Sequence, residues 1–219
     1  MLQRHEEKYI LTYAQYAILY QRALQVLHPD EHGGTYCITS LYFDDPADSA
    51  LAEKLDGLKL HSKFRLRTYG CDGGFIKLER KDKQGILTRK ISASVTREQL
   101  PLLTRPGGWE QLEGQARELA QQLQAKACRP VVGVRYTRDA FYHPGSDFRL
   151  TFDRDIEAIY PDVNCLFDEK LRGLPALNPG TVVMEIKYGP YLPEFVRKLT
   201  RVNAPQLSLS KYALCREKL

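Results

Sequence analysis

Apolar and charged residues alternate most densely between residues 62 and 81, SKFRLRTYGCDGGFIKLERK. Residues i and i+2 of a strand share a face, so Phe64, Leu66, Ile76 and Leu78 point one way and Arg65, Arg67, Lys77, Glu79 and Lys81 the other. The intervening GCDGG is a hairpin signal. The same period of two predicts strands over 4–11 (RHEEKYIL), 35–45 (TYCITSLYFDD), 85–94 (GILTRKISAS) and 181–188 (TVVMEIKY). VVGVRYTRDAFY and FRLTFDRDIEAIY, joined by HPGSD, form a further long hairpin. Helical spacing begins at Thr12 in TYAQYAILYQRALQVL and returns in DPADSALAEKLDG. Beyond Thr96 a helical hairpin follows, with WEQLEGQARELAQQLQAK (109–126) rich in helix formers, and PYLPEFVRKLT is a short late helix. HPDEHGG and residues 160–180 read as irregular.

About eight strands, mostly hairpin-connected with helices inserted, predict an α+β chain: an eight-stranded antiparallel β-barrel with helices packed outside. At 219 residues the chain fits one domain, 1–219, and no internal repeat or linker interrupts it. The net charge of +5 is too small to name a nucleic acid or a membrane as partner. The start MLQRHEEKYIL has no apolar h-region and no stretch approaches 18 apolar residues, so neither a secretory signal nor a membrane span is expected. The five cysteines are widely spaced and form no CxxC pair, which points to free thiols in a reducing, cytoplasmic setting. The five histidines show no metal-binding spacing.

Charge changes the picture when it is read strand by strand. One parity carries Arg4, Glu6 and Lys8, then Arg65 and Arg67, then Lys77, Glu79 and Lys81, then Lys90, Arg138, Arg149, Asp153, Glu185 and Lys187. Bases outnumber acids there more than two to one, whereas the whole chain, with 32 against 27, is nearly balanced. A wet sheet face is one reading, since two-faced antiparallel sheets commonly have one. A solvated surface, however, normally intersperses the two signs. The opposite positions, Phe64, Leu66, Ile76, Leu78, Val132, Val134, Leu150, Phe152, Met184 and Ile186, are apolar enough to need the helices as cover. Cations facing inward then require an anionic occupant, because like charges at close range in low dielectric repel by several kcal/mol. A chain of phosphates fits, bound by Arg through planar forks and by Lys as point charges. Glu6, Glu79, Asp153 and Glu185 suit a hard divalent metal bridging carboxylate and phosphate oxygens.

The segments RHEEKY, SLYFDD, KFRLRTY, FIKLERK, YTRDAF, RLTFD, MEIKY and SKYALC, in that order, resemble the VTC domain, the polyphosphate polymerase branch of the triphosphate tunnel metalloenzymes. The resemblance runs from about residue 3 to 216. It implies an eight-stranded tunnel, a bound triphosphate or nucleotide, and Mn2+ or Mg2+. It also implies transfer of the terminal phosphoryl group of ATP onto inorganic polyphosphate. Carried over by motif, Lys8, Arg65, Arg67, Lys77, Lys90, Arg138, Arg149 and Lys211 fall on catalytic, phosphate-binding positions, with Lys81 and Lys187 as further phosphate contacts. Glu185 falls on the metal ligand of the last strand. Hydrolytic relatives carry a first-strand ExExK; here Arg4, Glu6 and Lys8 stand there, so Glu6 either holds metal or pairs Arg4 or Lys8. Export of a polymer across a membrane would need a partner protein. Two alternatives remain open: a tunnel triphosphatase acting on a nucleotide or inorganic triphosphate, and a non-catalytic polyphosphate- or nucleotide-binding module. An RNA-binding role is disfavoured, because the cations alternate with apolar residues within strands.

Overall fold

The computed structural model describes residues 5–58, 60–70, 74–85 and 87–219. Arg4 and residues 71–73, where the sequence signals a hairpin, lie outside them. In chain order the elements are β1 (His5–Thr12), α1 (Tyr13–Val26), β2 (His28–Pro29), β3 (Thr35–Asp44), α2 (Ser49–Leu55), β4 (Leu60–Tyr69), β5 (Ile76–Gln84) and β6 (Leu87–Val95). Then come α3 (Leu100–Thr104), α4 (Gly114–Ala125), β7 (Arg129–Tyr142), β8 (Arg149–Ile159), β9 (Leu174–Pro175), β10 (Thr181–Tyr188), α5 (Glu194–Leu199) and α6 (Lys211–Arg216). Helix α1 starts where Thr12 predicts it: the Thr12 hydroxyl accepts from the Gln15 amide and the Gln15 side chain accepts from the Thr12 N–H, a reciprocal capping box. The helix expected over 109–126 begins only at Gly114 and follows a 3-10 turn (Gly108–Gln111), because Gly114 takes φ +51° and cannot sit inside a continuous helix.

The strands form one antiparallel sheet of ten, with the hydrogen-bonded order β1-β10-β8-β7-β3-β4-β5-β6. The two-residue strands β2 and β9 attach to β7 and β8. The eight strands of that path are the ones the alternation predicts; the other two are too short to display a period. No hydrogen-bonded pairing among the described residues joins β1 to β6, so the sheet order is an open path where a closed eight-stranded barrel was expected. Alternation within strands reports which face is apolar, and it carries no information about closure, which is the physical reason for the difference.

The chain divides into two compact units. The first comprises Met1–Cys37, Tyr136–Ile156 and Leu177–Ser210. Its core lies under α1 and α5, where Tyr16, Leu19, Ala23, Val196 and Leu199 cover Leu150, Phe152, Met184 and Ile186. The second comprises Ile38–Arg135, Glu157–Ala176 and Lys211–Leu219. There Leu103, Leu119, Ala120 and Leu123 of α3 and α4 cover Phe64, Leu66, Ile76 and Leu78. In each unit the apolar parity is thus the helix-covered one, burying large side chains at about 25 cal/mol per Å².

Val132 and Val134 are the exceptions to the expected faces: both are fully buried, but neither belongs to a helix-covered cluster. The covered side of β7 belongs to Gly133 and Arg135. A Cβ on Gly133 would meet Cys165 Sγ and Ile159 Cβ at 3.1 Å, so only glycine admits that approach. Arg135 donates to the carbonyls of Leu171 at 2.7 Å, Asp168 at 2.6 Å and Cys165 at 3.0 Å, and to Thr39 Oγ1 at 3.3 Å. One buried guanidinium therefore satisfies the backbone of the irregular 165–171 segment, a role that alternation alone does not reveal. Arg135→Ala is expected to lower unfolding free energy by about 2–4 kcal/mol, read by urea denaturation, because buried carbonyls lose their donor. Loss of under 0.5 kcal/mol would show that the segment needs no such support.

No disulfide joins the described cysteines Cys37, Cys128, Cys165 and Cys215, and no helix of the described residues is long and apolar enough to cross a membrane.

Candidate functional site

In the second unit the charged parity of β4, β5 and β6 forms a grid fixed by register. Tyr42 stands opposite Arg65, and Arg65 opposite Glu79. Ser40 stands opposite Arg67, and Arg67 opposite Lys77; Lys63 faces Lys81, which faces Lys90. Lys63, Arg65, Arg67, Lys77, Lys81 and Lys90 therefore share a face on which Glu79 is the one carboxylate among the described residues of these strands. Glu79, with its side chain 4% exposed, accepts from Arg65 Nη2 at 2.6 Å and Nε at 2.7 Å, and from Lys90 Nζ at 3.1 Å. Arg67 donates to Ser40 Oγ at 3.2 Å, and Lys77 to Ser94 Oγ at 2.5 Å.

Burial would raise the Glu79 carboxyl, but Arg65, Arg67 and Lys90 more than offset it and hold the pKa at about 2. The folded value lies below the ordinary one, so the stabilisation is present above pH about 4.5 and is lost as pH falls toward 2. Wild type should accordingly lose stability through that window more steeply than Glu79→Gln, and the variant should be about 2 kcal/mol less stable at neutral pH. Parallel acid-unfolding curves for the two proteins would contradict the assignment.

Two aromatic residues complete this face without having been singled out from the sequence. Tyr42, 8% exposed, accepts from Arg65 Nη1 at 3.0 Å, and its ring lies 5.1 Å from that of Tyr212. Tyr212 donates to Asp44 Oδ2 at 2.6 Å, which fastens α6, and Lys63 Nζ lies 4.8 Å from its ring centroid. Lys211 opens α6 next to it. The signal that could have found Tyr42 is its even-numbered place in TYCITSLYFDD, two residues from Ser40 on the strand beside KFRLR.

The first unit carries a separate, more balanced ionic set. Glu6 faces Lys187, Lys8 faces Glu185, Glu185 faces Thr151, and Lys187 faces Arg149. Arg138 grips the fully buried Asp153 through Nε at 2.7 Å and Nη2 at 2.8 Å, and its Nη2 lies 3.7 Å from Glu185. Lys187 Nζ lies 3.1 Å from Glu185 Oε1. Lys8 Nζ lies 2.8 Å from Glu6 and donates to the Leu209 carbonyl at 3.1 Å. Burial disfavours the Lys8 ammonium, yet Glu185 and Glu6 outweigh it and raise its pKa. The same balance, through Asp153 and Glu185, raises that of Arg138. Arg149 is exposed at the edge of the set, and Glu6 is seen pairing Lys8.

The donor chemistry here fits one hard cation. The Thr151 hydroxyl is buried with no hydrogen-bond partner and lies across from Glu185, which is 5% exposed. The described residues hold no group of three acidic, His or Cys ligands. An ion such as Mg2+ keeps waters and is held by one or two carboxylates plus substrate phosphates, a role open to Glu185 with Thr151 across from it.

The VTC domain belongs to the triphosphate tunnel metalloenzyme fold. The VTC domain model matches residues 3–219, and this chain belongs to that family. Members of the fold use divalent metal ions. Among solved structures, HpAC1 from Hippeastrum, named for adenylyl cyclase and described as having a dominant triphosphatase activity, is similar at TM-score 0.57 and 15% identity, covering 97% of this chain and 96% of that one. The PH1819 protein of Pyrococcus horikoshii is similar at TM-score 0.53 and 12% identity, over 99% of both chains. A Bacillus halodurans protein named for adenylate cyclase reaches TM-score 0.51 at 12% identity, covering 91% and 87%. Among curated proteins, none matches the sequence significantly.

Proposed function

We propose that this chain is a metal-assisted phosphotransferase of the polyphosphate polymerase type, moving the terminal phosphoryl group of ATP onto inorganic polyphosphate. The observation that carries this reading is the β4–β6 face, where cations in three adjacent strands surround a single carboxylate. Cations outnumber carboxylates on such a face, and a row of phosphates is an anion of matching charge. Arg65 and Arg67 provide bidentate forks, and Lys77, Lys81 and Lys90 provide point charges. In the first unit, Glu185 and Thr151 would hold a divalent cation, which when bound neutralises charge building on the phosphoryl oxygens. Within that unit Arg138 orients Asp153 and steadies Glu185, and Lys187 pairs with Glu185 and Lys8 with Glu6.

Phosphoryl transfer asks the protein for positioning and charge neutralisation. The P–O bond to the leaving ADP oxygen breaks and a P–O bond to the acceptor's terminal oxygen forms. That acceptor oxygen is already ionised at neutral pH, so no side chain must take its proton. A hydrolase acting through water would gain from a free carboxylate base. Glu6, Glu79, Asp153 and Glu185 are instead each within 3.1 Å of a cation, which favours transfer over hydrolysis.

Incubation with ATP and Mn2+ or Mg2+, followed by gel separation of products, tests the reading. Long acid-labile chains with stoichiometric ADP support it. Orthophosphate without chains would establish the triphosphatase alternative, and binding without any product would establish the binding module.

A further inference from the structure

We propose that the Tyr42 phenol is itself a phosphate ligand on the β4–β6 face, held by Arg65 and donating its proton to a phosphate oxygen. This rests on the phosphate-binding reading of that face and deepens it. Two phenols meet here at 5.1 Å between ring centroids, and their hydroxyls are committed differently. Tyr212 gives its proton to Asp44 at 2.6 Å. Tyr42 only accepts, from Arg65 at 3.0 Å, and no described group takes its proton. Tyr42 as a residue is 8% exposed, and its hydroxyl, fixed by a cation and retaining a donor that no described group accepts, is incomplete in the way that an anionic acceptor completes.

The groups around it agree in sign. From β4 it meets Lys63, Arg65 and Arg67; from β5, Glu79 is already engaged by Arg65; from α6 comes Tyr212, neutral and tied to Asp44. Burial would raise the phenol's pKa, but Arg65, Arg67 and Lys63 outweigh it and bring it to about 8. A phenol this acidic is a strong donor to phosphate, and it ionises just above neutrality. An ionised Tyr42 would lose the donor and set a negative charge against the ligand. By linkage, a polyanion binding above pH 8 must return the proton.

The experiment is calorimetric titration with tripolyphosphate at pH 7 and pH 8.5, in pairs of buffers of different ionisation enthalpy, on wild type and Tyr42→Phe. The ligand's own titration is common to both proteins. Wild type should bind about tenfold more tightly than Tyr42→Phe at pH 7, and at pH 8.5 it should take up a fraction of a proton that the variant does not. An ultraviolet difference spectrum of wild type alone at pH 8.5 provides a reading independent of the variant's folding: tripolyphosphate should diminish phenolate absorbance. Equal affinity and equal proton uptake, or an unchanged phenolate signal on saturation, overturn the role of Tyr42 and leave the phosphate reading intact. Absence of tripolyphosphate binding by wild type overturns both.

Discussion

Arg138→Ala is expected to destabilise the protein by about 3–5 kcal/mol, because it removes the bidentate partner of a carboxylate that is wholly out of water. Asp153 is 0% exposed and the Arg138 side chain 13%, so solvent cannot replace the lost charge. The double variant Arg138→Met with Asp153→Leu should recover much of the loss, since a well-packed apolar pair avoids desolvation altogether. Urea denaturation of the single and double variants measures both numbers. If the single variant lost less than 1 kcal/mol, the Arg138–Asp153 pair would not be the clamp it is taken to be. Loss of phosphate binding in a variant this destabilised carries no weight alone, so binding roles are better read at other positions.

The second large effect is on turnover. Glu185→Gln keeps the shape of the side chain and removes the charge that would hold a divalent ion, so phosphoryl transfer should fall at least about 100-fold. Tripolyphosphate affinity measured without metal should change only a few-fold, because the β4–β6 cations are untouched. Lys187 and Arg138 lose a partner, at 3.1 and 3.7 Å, so a modest fall in stability should accompany the change. Turnover within threefold of wild type would remove Glu185 from the metal site.

The two sets of charge were not equally legible in the sequence. Strand parity placed Arg65, Arg67, Lys77, Lys81 and Lys90 on one face because β4 and β5 alternate without interruption over nine paired positions. Glu79 was also assigned to that face, but its engagement by two cations depends on cross-strand register, which periodicity does not fix. Tyr42 was hidden because aromatic residues in a strand read as core by default, and its strand is buried on both faces from Ile38 to Asp44. β7 misled because apolar character was followed there and not parity: RPVVGVRYTRDAFY is buried over most of its length, and Val132 and Val134 were assigned to the helix-facing side although they share the even parity of Arg138, while Gly133 and Arg135 hold that side. Closure of the sheet depends on how strands pair at the ends of the path, a non-local property with no trace in local patterning.

The claim on which the account depends is that the β4–β6 face binds a chain of phosphates. Arg67 is the residue to use, because it donates to Ser40, and Arg65 and Lys90 still engage the buried Glu79 after its removal. Titration of tripolyphosphate into wild type, Arg67→Ala and the exposed Arg89→Ala, which lies on the opposite parity of β6, measures site binding against general charge. The account predicts saturable wild-type binding, about 10–50-fold weaker for Arg67→Ala and nearly unchanged for Arg89→Ala. Equal weakening by both substitutions, or no saturable binding by wild type, would contradict it.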